Sequence, residues 1–136
     1  TMNDHETIKQ VKKIARKENL KIISCGYYHK WCDESVPASP TEFLEMFMHA
    51  KYIVTDTFHG TVFSLICHKN FASIIRKNGF KVRHLLDAVH LENRIVKTEI
   101  ADIVKKKPDF AYFDEWIEKE RAKSRRFIEK NINAAR

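Results

Sequence analysis

Short runs of branched residues alternate with helix-length amphipathic segments along most of this chain, and that order limits the fold more than any other feature. Residues 20–24, Tyr52–Thr55, residues 71–75 and, more briefly, Ile95 with Val96 have the composition of strands. Ahead of the first run, Ile8, Val11, Ile14 and Ala15 recur at helical spacing, which predicts a helix over His5–Glu18. Phe43, Leu44, Phe47 and Met48 mark a second helix, and Val62, Phe63, Leu65 and Ile66 a third that begins near Gly60. Leu85 and Leu86 sit in a short helix over residues 82–89. Strands alternating with helices predict an α/β fold, with about four parallel strands covered on both faces.

Local signals sharpen the boundaries. Ser39 precedes Pro40, and Glu42 follows three residues after the serine. That is a capping box with proline where its missing N–H costs nothing. The polar stretch over residues 26–39, with Tyr27, Tyr28, His29 and Trp31, reads as one long connector, and long connectors in compact domains are often functional. Beyond Lys97 the pattern is helical only. One segment covers residues 99–106, closed before Pro108, and a last helix runs from about Ala111 with Phe113, Trp116, Ile117, Phe127 and Ile128 as its apolar positions. The 136 residues make one domain, with residues 110–136 packing outside the sheet, along a surface or a neighbouring domain.

Composition excludes several classes. Hydrophobic residues reach 43%, with only 3 Gly and 3 Pro, which excludes a disordered or collagen-like chain. No apolar run approaches the roughly 18 residues of a membrane span. No glycine-rich phosphate loop is present. The start, Thr1-Met2-Asn3-Asp4, has no leader pattern and reads as a piece of a longer protein. The 3 cysteines form no CxxC, as in proteins of reducing compartments. Cys67 reads as core. Cys25, His29 and Cys32 lack a fourth ligand at zinc spacing, so no metal is expected.

The segment with the most chemistry runs from Thr55 through Asp56, Thr57, Phe58, His59 and Gly60 to Thr61. It leaves a strand and enters a helix. Ligands of open parallel sheets bind at the carboxyl ends of strands. A helix start there offers unpaired N–H groups and partial positive charge to an anion. Gly60 permits a close backbone approach, and His59 can meet a phosphate or exchange a proton near neutral pH. The plainer alternative is a capped helix with a solvated histidine.

Net charge is +7, unevenly spread. Arg76, Lys77, Lys81, Arg83 and Arg94 face only Asp87 and Glu92 in the stretch after the third strand. Parallel strands would bring Arg76 and Arg83 to the same rim as His59, where arginine suits a carboxylate or phosphate.

The runs from Ser39 to Phe47 and from Ala50 to Ile66 resemble the polysaccharide pyruvyl transferase family. Lys69-Asn70-Phe71, Val82 to Leu86, Leu91 to Val96 and the closing stretch from Pro108 are similar in the same order. The resemblance implies a Rossmann-like, glycosyltransferase-B-like half domain. It implies transfer of pyruvate from phosphoenolpyruvate, as a ketal, to hydroxyls of a surface polysaccharide, with no cofactor. His59 matches the motif histidine, as general acid or phosphate ligand. Thr57, Phe58, Gly60, Thr61, Arg76 and Arg83 are the matching donor-binding candidates. Family members are roughly twice this long, so the resemblance implies a C-terminal half, inactive without an N-terminal half that supplies the acceptor site. The acceptor would be a glycan or lipid-linked sugar, and the location cytoplasmic, with peripheral association at the inner face of the membrane left open.

Two rivals stand beside this reading. A glycosyltransferase half would bind a nucleotide sugar at the same rim. A non-catalytic anion- or nucleic-acid-binding module would use the basic last helix. Against that module, Glu115, Glu118, Glu120 and Glu129 interleave with the bases, and no nucleic-acid motif occurs.

Overall fold

The computed structural model describes residues 2–135. Helix α1, His5–Glu18, starts on Asp4, whose carboxylate accepts the Thr7 N–H at 2.8 Å. It stops at Asn19, in the left-handed region at φ 53°, whose N–H closes on the carbonyls of Ala15 and Arg16. Strand β1, Ile23–Cys25, follows. The predicted long connector is not all loop: it holds β2, Glu34–Val36, parallel to β1 with Ile23 opposite Glu34. Of its three residues only Val36 favours a strand; Glu34 and Ser35 carry little strand propensity of their own. Pairing supplies it: the N–H groups of Asp33 and Glu34 donate to Ile22 O, and Lys21 reaches Glu34 at 2.5 Å.

Helix α2, Pro40–His49, has its capping box in place, with Ser39 and Glu42 bonded reciprocally. Strand β3, Tyr52–Thr55, leads into helix α3, Phe58–Ile66, which begins two residues earlier than the pattern predicts because Thr57 caps it. Strand β4, Asn70–Ser73, lies parallel to β3, Ile53 opposite Phe71. Helix α4 is Phe80–Ala88. A 3-10 turn, Glu92–Arg94, precedes Ile95, whose contact with Ser73 is a single parallel bridge rather than a fourth full strand. Helices α5, Ile100–Val104, and α6, Ala111–Ala134, close the chain.

The strand pairings among the described residues are parallel. For β3–β4 the intervening helix α3 accounts for this, whereas β1 and β2 are joined by a loop with no helix. The expected single sheet is divided, however, into two two-stranded sheets, β1–β2 and β3–β4. The β3–β4 sheet is the centre of the molecule. On one face Ile53 and Phe71 pack with Phe47, Leu65, Leu86 and Phe113. On the other, Tyr52, Val54 and Ala72 pack with Ile14, Ile100 and Val104. The alternation of strand residues between these clusters is the period-two signature of a sheet covered by helices on both faces.

Helix α6 joins the core only through its first turns. Phe113 is buried, Trp116 and Ile117 are half-buried, and Phe127 and Ile128 are exposed. Cys67 is half-buried rather than fully interior. Among the described residues no helix is long and apolar enough to cross a membrane.

Candidate functional site

The carboxyl rim of β3–β4 is assembled by hydroxyls. Thr57 Oγ1 accepts the Gly60 N–H at 3.0 Å and shares a hydrogen bond with Thr55 Oγ1 at 3.1 Å. The Thr57 N–H in turn donates to Thr55 Oγ1. Gly60 is buried against this pair: a Cβ there would overlap Thr55 Oγ1 and crowd Thr57 Oγ1. Glycine is therefore what lets the first turn of α3 sit down on the end of β3.

Thr61 is fully buried. Its hydroxyl lies 3.0 Å from Thr57 O and 2.9 Å from Ser73 Oγ, tying α3 to β4. Thr61 and Gly60 thus reach the rim through Thr57, while Thr57, Phe58 and His59 are exposed on it. The N–H groups of Phe58 and His59, in the first turn of α3, have no partner among the described residues. The His59 ring stands edge-on to Phe58, with centroids 6.0 Å apart, and accepts or donates no hydrogen bond among the described residues. Two amides, one imidazole and an aromatic edge therefore face solvent at one helix start.

Arg76, just beyond β4, comes to the same rim. Its Nε donates to Asp56 Oδ2 at 3.3 Å and its Nη2 to Asp4 Oδ2 at 3.1 Å. This guanidinium ties the approach to α3 to the start of α1. Asp4 is held down to about 2, chiefly by its hydrogen bonds from Thr7 and then by Arg76. Arg83 is separate. It is exposed on α4, which starts after the turn closed by Gly79 N–H on Arg76 O, and its side chain bonds to no carboxylate among the described residues.

Arg94, counted by sequence with the basic stretch, is not on the rim at all. It is 2% exposed, with Nη1 donating to Lys106 O at 2.7 Å, Nη2 to Ile103 O, and its guanidinium 5.8 Å from the Phe71 ring centre. It closes the end of α5, and burial lowers its pKa.

Burial raises the thiols of Cys25, Cys32 and Cys67, which favours their protonated form. Among the described residues no three histidine, cysteine or acidic side chains group as metal ligands. On α6, Glu115, Glu118 and Glu120 pair with Lys119, Arg121 and Lys123 at 2.7–3.0 Å, so much of its basic charge is neutralised along its own surface.

The family model described as polysaccharide pyruvyl transferase matches residues 2–78. That is more than half of the chain; it takes in the rim from Asp4 to Arg76 and stops before Arg83. No curated protein and no solved structure matches the chain.

Proposed function

Because the chain belongs to the polysaccharide pyruvyl transferase family, we propose that the β3–β4 rim is the donor site of a transferase moving pyruvate from phosphoenolpyruvate to a sugar. The domain is read as a Rossmann-like half of a glycosyltransferase-B-like enzyme. The observation that carries the proposal is the convergence at one helix start of the exposed His59 ring and the unpartnered Phe58 and His59 amides. Phosphoenolpyruvate carries a phosphate and a carboxylate. The amides and the positive end of α3 suit the phosphate. Arg83, with no carboxylate partner among the described residues, is assigned the donor's carboxylate. Arg76 already bridges Asp4 and Asp56, so its part is to hold the rim together.

The chemistry is balanced without a cofactor. The methylene carbon takes a proton, and carbon 2 becomes electrophilic. One sugar hydroxyl adds to carbon 2, the bond to the phosphate oxygen breaks, and a second hydroxyl closes the ketal. Of the two hydroxyl protons, one replaces the proton given to the methyl group and the other leaves with phosphate. His59 is assigned the first proton delivery as general acid. The acceptor, a glycan or lipid-linked sugar, would be held by a further half domain, and the setting would be the cytoplasm, where a lipid-linked acceptor would draw the enzyme to the inner face of the membrane.

Thermal unfolding of the full-length protein tests the donor. A bound ligand raises the melting temperature in step with its concentration over Kd. Phosphoenolpyruvate should raise it and nucleotide sugars should not. The reverse order would replace this proposal with a glycosyltransferase.

A further inference from the structure

A slot of ≈ 810 Å³ separates the two sheets. One wall is formed by consecutive residues from Lys21 to Cys25, the other by consecutive residues from Lys51 to Thr57. A sheet face would present alternate residues, since neighbouring side chains point to opposite sides. Walls that present every residue in turn are strand edges. The remaining two sides are apolar helix surfaces: Val11 and Ile14 of α1 on one, Phe43 and Phe47 of α2 on the other. These helices cover opposite faces of β3–β4. The slot therefore has the cross-section of a strand between two helix layers.

Its walls are also unpaired in the right places. Ile22 O and Gly26 N–H are bonded toward β2, and Thr55 O toward β4. Successive residues of a parallel strand turn their backbone groups alternately to the two sides. Ile23 and Cys25, and across from them Tyr52 and Val54, thus direct N–H and C=O into the slot. Among the described residues no backbone hydrogen bond joins β1 to β3. Backbone groups in so apolar a space call for partners.

The two walls run the same way. At their amino ends, Glu18, just ahead of β1, accepts from Lys51 Nζ at 2.7 Å and Tyr52 Oη at 2.9 Å. At their carboxyl ends both converge on the segment leading into α1. Trp31 Nε1 donates to Met2 O at 3.2 Å, and the His29 ring meets Asn3 at 3.1 Å, both from the loop after β1. Arg76 and Asp56 join Asp4 from the other side. Met2 itself lines the slot.

We propose that the slot receives the stretch of the same polypeptide immediately ahead of Thr1, as a fifth parallel strand hydrogen-bonded to β1 and β3 at once. That strand would run up the slot and hand over to α1 at Met2, so strand, α1 and β1 form one βαβ unit. The sheet order becomes β2, β1, the new strand, β3, β4. The occupant is about five or six residues long, the usual strand length. It is apolar on both faces, because helices cover it on both.

Residue-resolved hydrogen exchange on the full-length polypeptide tests this. The amides of Ile23, Cys25, Tyr52 and Val54 should be as slow as those of Ser24 and Ile53, which turn toward β2 and β4. An alternating pattern, with the slot-facing amides orders of magnitude faster, would mean an open slot and would overturn the proposal. Protection that disappears on dilution would assign the slot to a second copy and overturn it equally. A proline scan gives an independent reading. Proline is tolerated where a strand N–H faces solvent. Val54→Pro should therefore lower the melting temperature well beyond Val54→Ala if a strand pairs there; equal melting temperatures would sink the idea.

Discussion

Thr55 Oγ1 occupies the space where any Cβ on Gly60 would stand, so the end of β3 and the first turn of α3 fit only with glycine at that position. Gly60→Ala should destabilise the protein by about 1–3 kcal/mol, the usual cost of overpacking. The offending atoms belong mainly to Thr55, so Thr55→Ala in the same chain should recover part of the loss. Urea unfolding of the two single variants and the double variant measures that coupling, and strict additivity would show that the clash is relieved elsewhere.

That contact also marks how far the sequence could be read. Parallel βαβ order was legible in the spacing of branched and amphipathic segments, and it places the loops after β3 and β4 on one rim; hence Asp56 and Arg76 meet there. Strand β2 was hidden, because Glu34 and Ser35 become strand only by pairing with β1. The division of the sheet was hidden too, since periodicity identifies strands and not which of their edges are paired. Arg94 looked like its basic neighbours. Its burial depends on the carbonyls of Ile103 and Lys106, which a one-dimensional charge count does not see.

Arg94 should behave as a structural residue. Arg94→Ala removes two hydrogen bonds from a charged donor and leaves carbonyls at the end of α5 unpaired, against which stands relief of a desolvated charge. A loss of about 3 kcal/mol is expected, with donor affinity of the folded protein unchanged. A stable variant with weakened donor binding would return Arg94 to the site.

Asp4 gives the protein an acid-sensitive link. Its carboxyl falls from an ordinary 3.8 to about 2 on folding, through Thr7 first and Arg76 after it. A depressed carboxyl contributes stability that is complete above its unfolded value and is lost as pH falls through the folded one. The window is therefore from about pH 4 down to about pH 2. The side chain is 40% exposed, so screening limits the contribution to under about 1 kcal/mol. Asp4→Asn keeps an acceptor for the Thr7 N–H and loses the charge. Its stability should change less than wild type across that window, and the difference should shrink in high salt. Parallel acid titrations monitored by circular dichroism would reveal whether the curves differ.

His59 and Arg83 should separate kinetically in the full-length enzyme. His59 is exposed at a helix start and bonded to nothing among the described residues, so His59→Ala should leave stability within about 0.5 kcal/mol. If its imidazole delivers the proton to the methylene carbon, phosphate release should slow by about 10² to 10⁴ with little change in donor saturation. Arg83→Ala removes a charge assigned to the ground-state carboxylate, which transition state and substrate share. It should raise the phosphoenolpyruvate KM, by about 2 kcal/mol of binding or roughly 30-fold, with kcat nearly unchanged. Phosphate release at varied donor concentration, with melting temperatures alongside, distinguishes the two. Wild-type turnover in His59→Ala would end the general-acid assignment. A fall in melting temperature that accounts for the lost activity would make His59 a structural residue, and an unchanged KM in Arg83→Ala would move the carboxylate contact to Arg76.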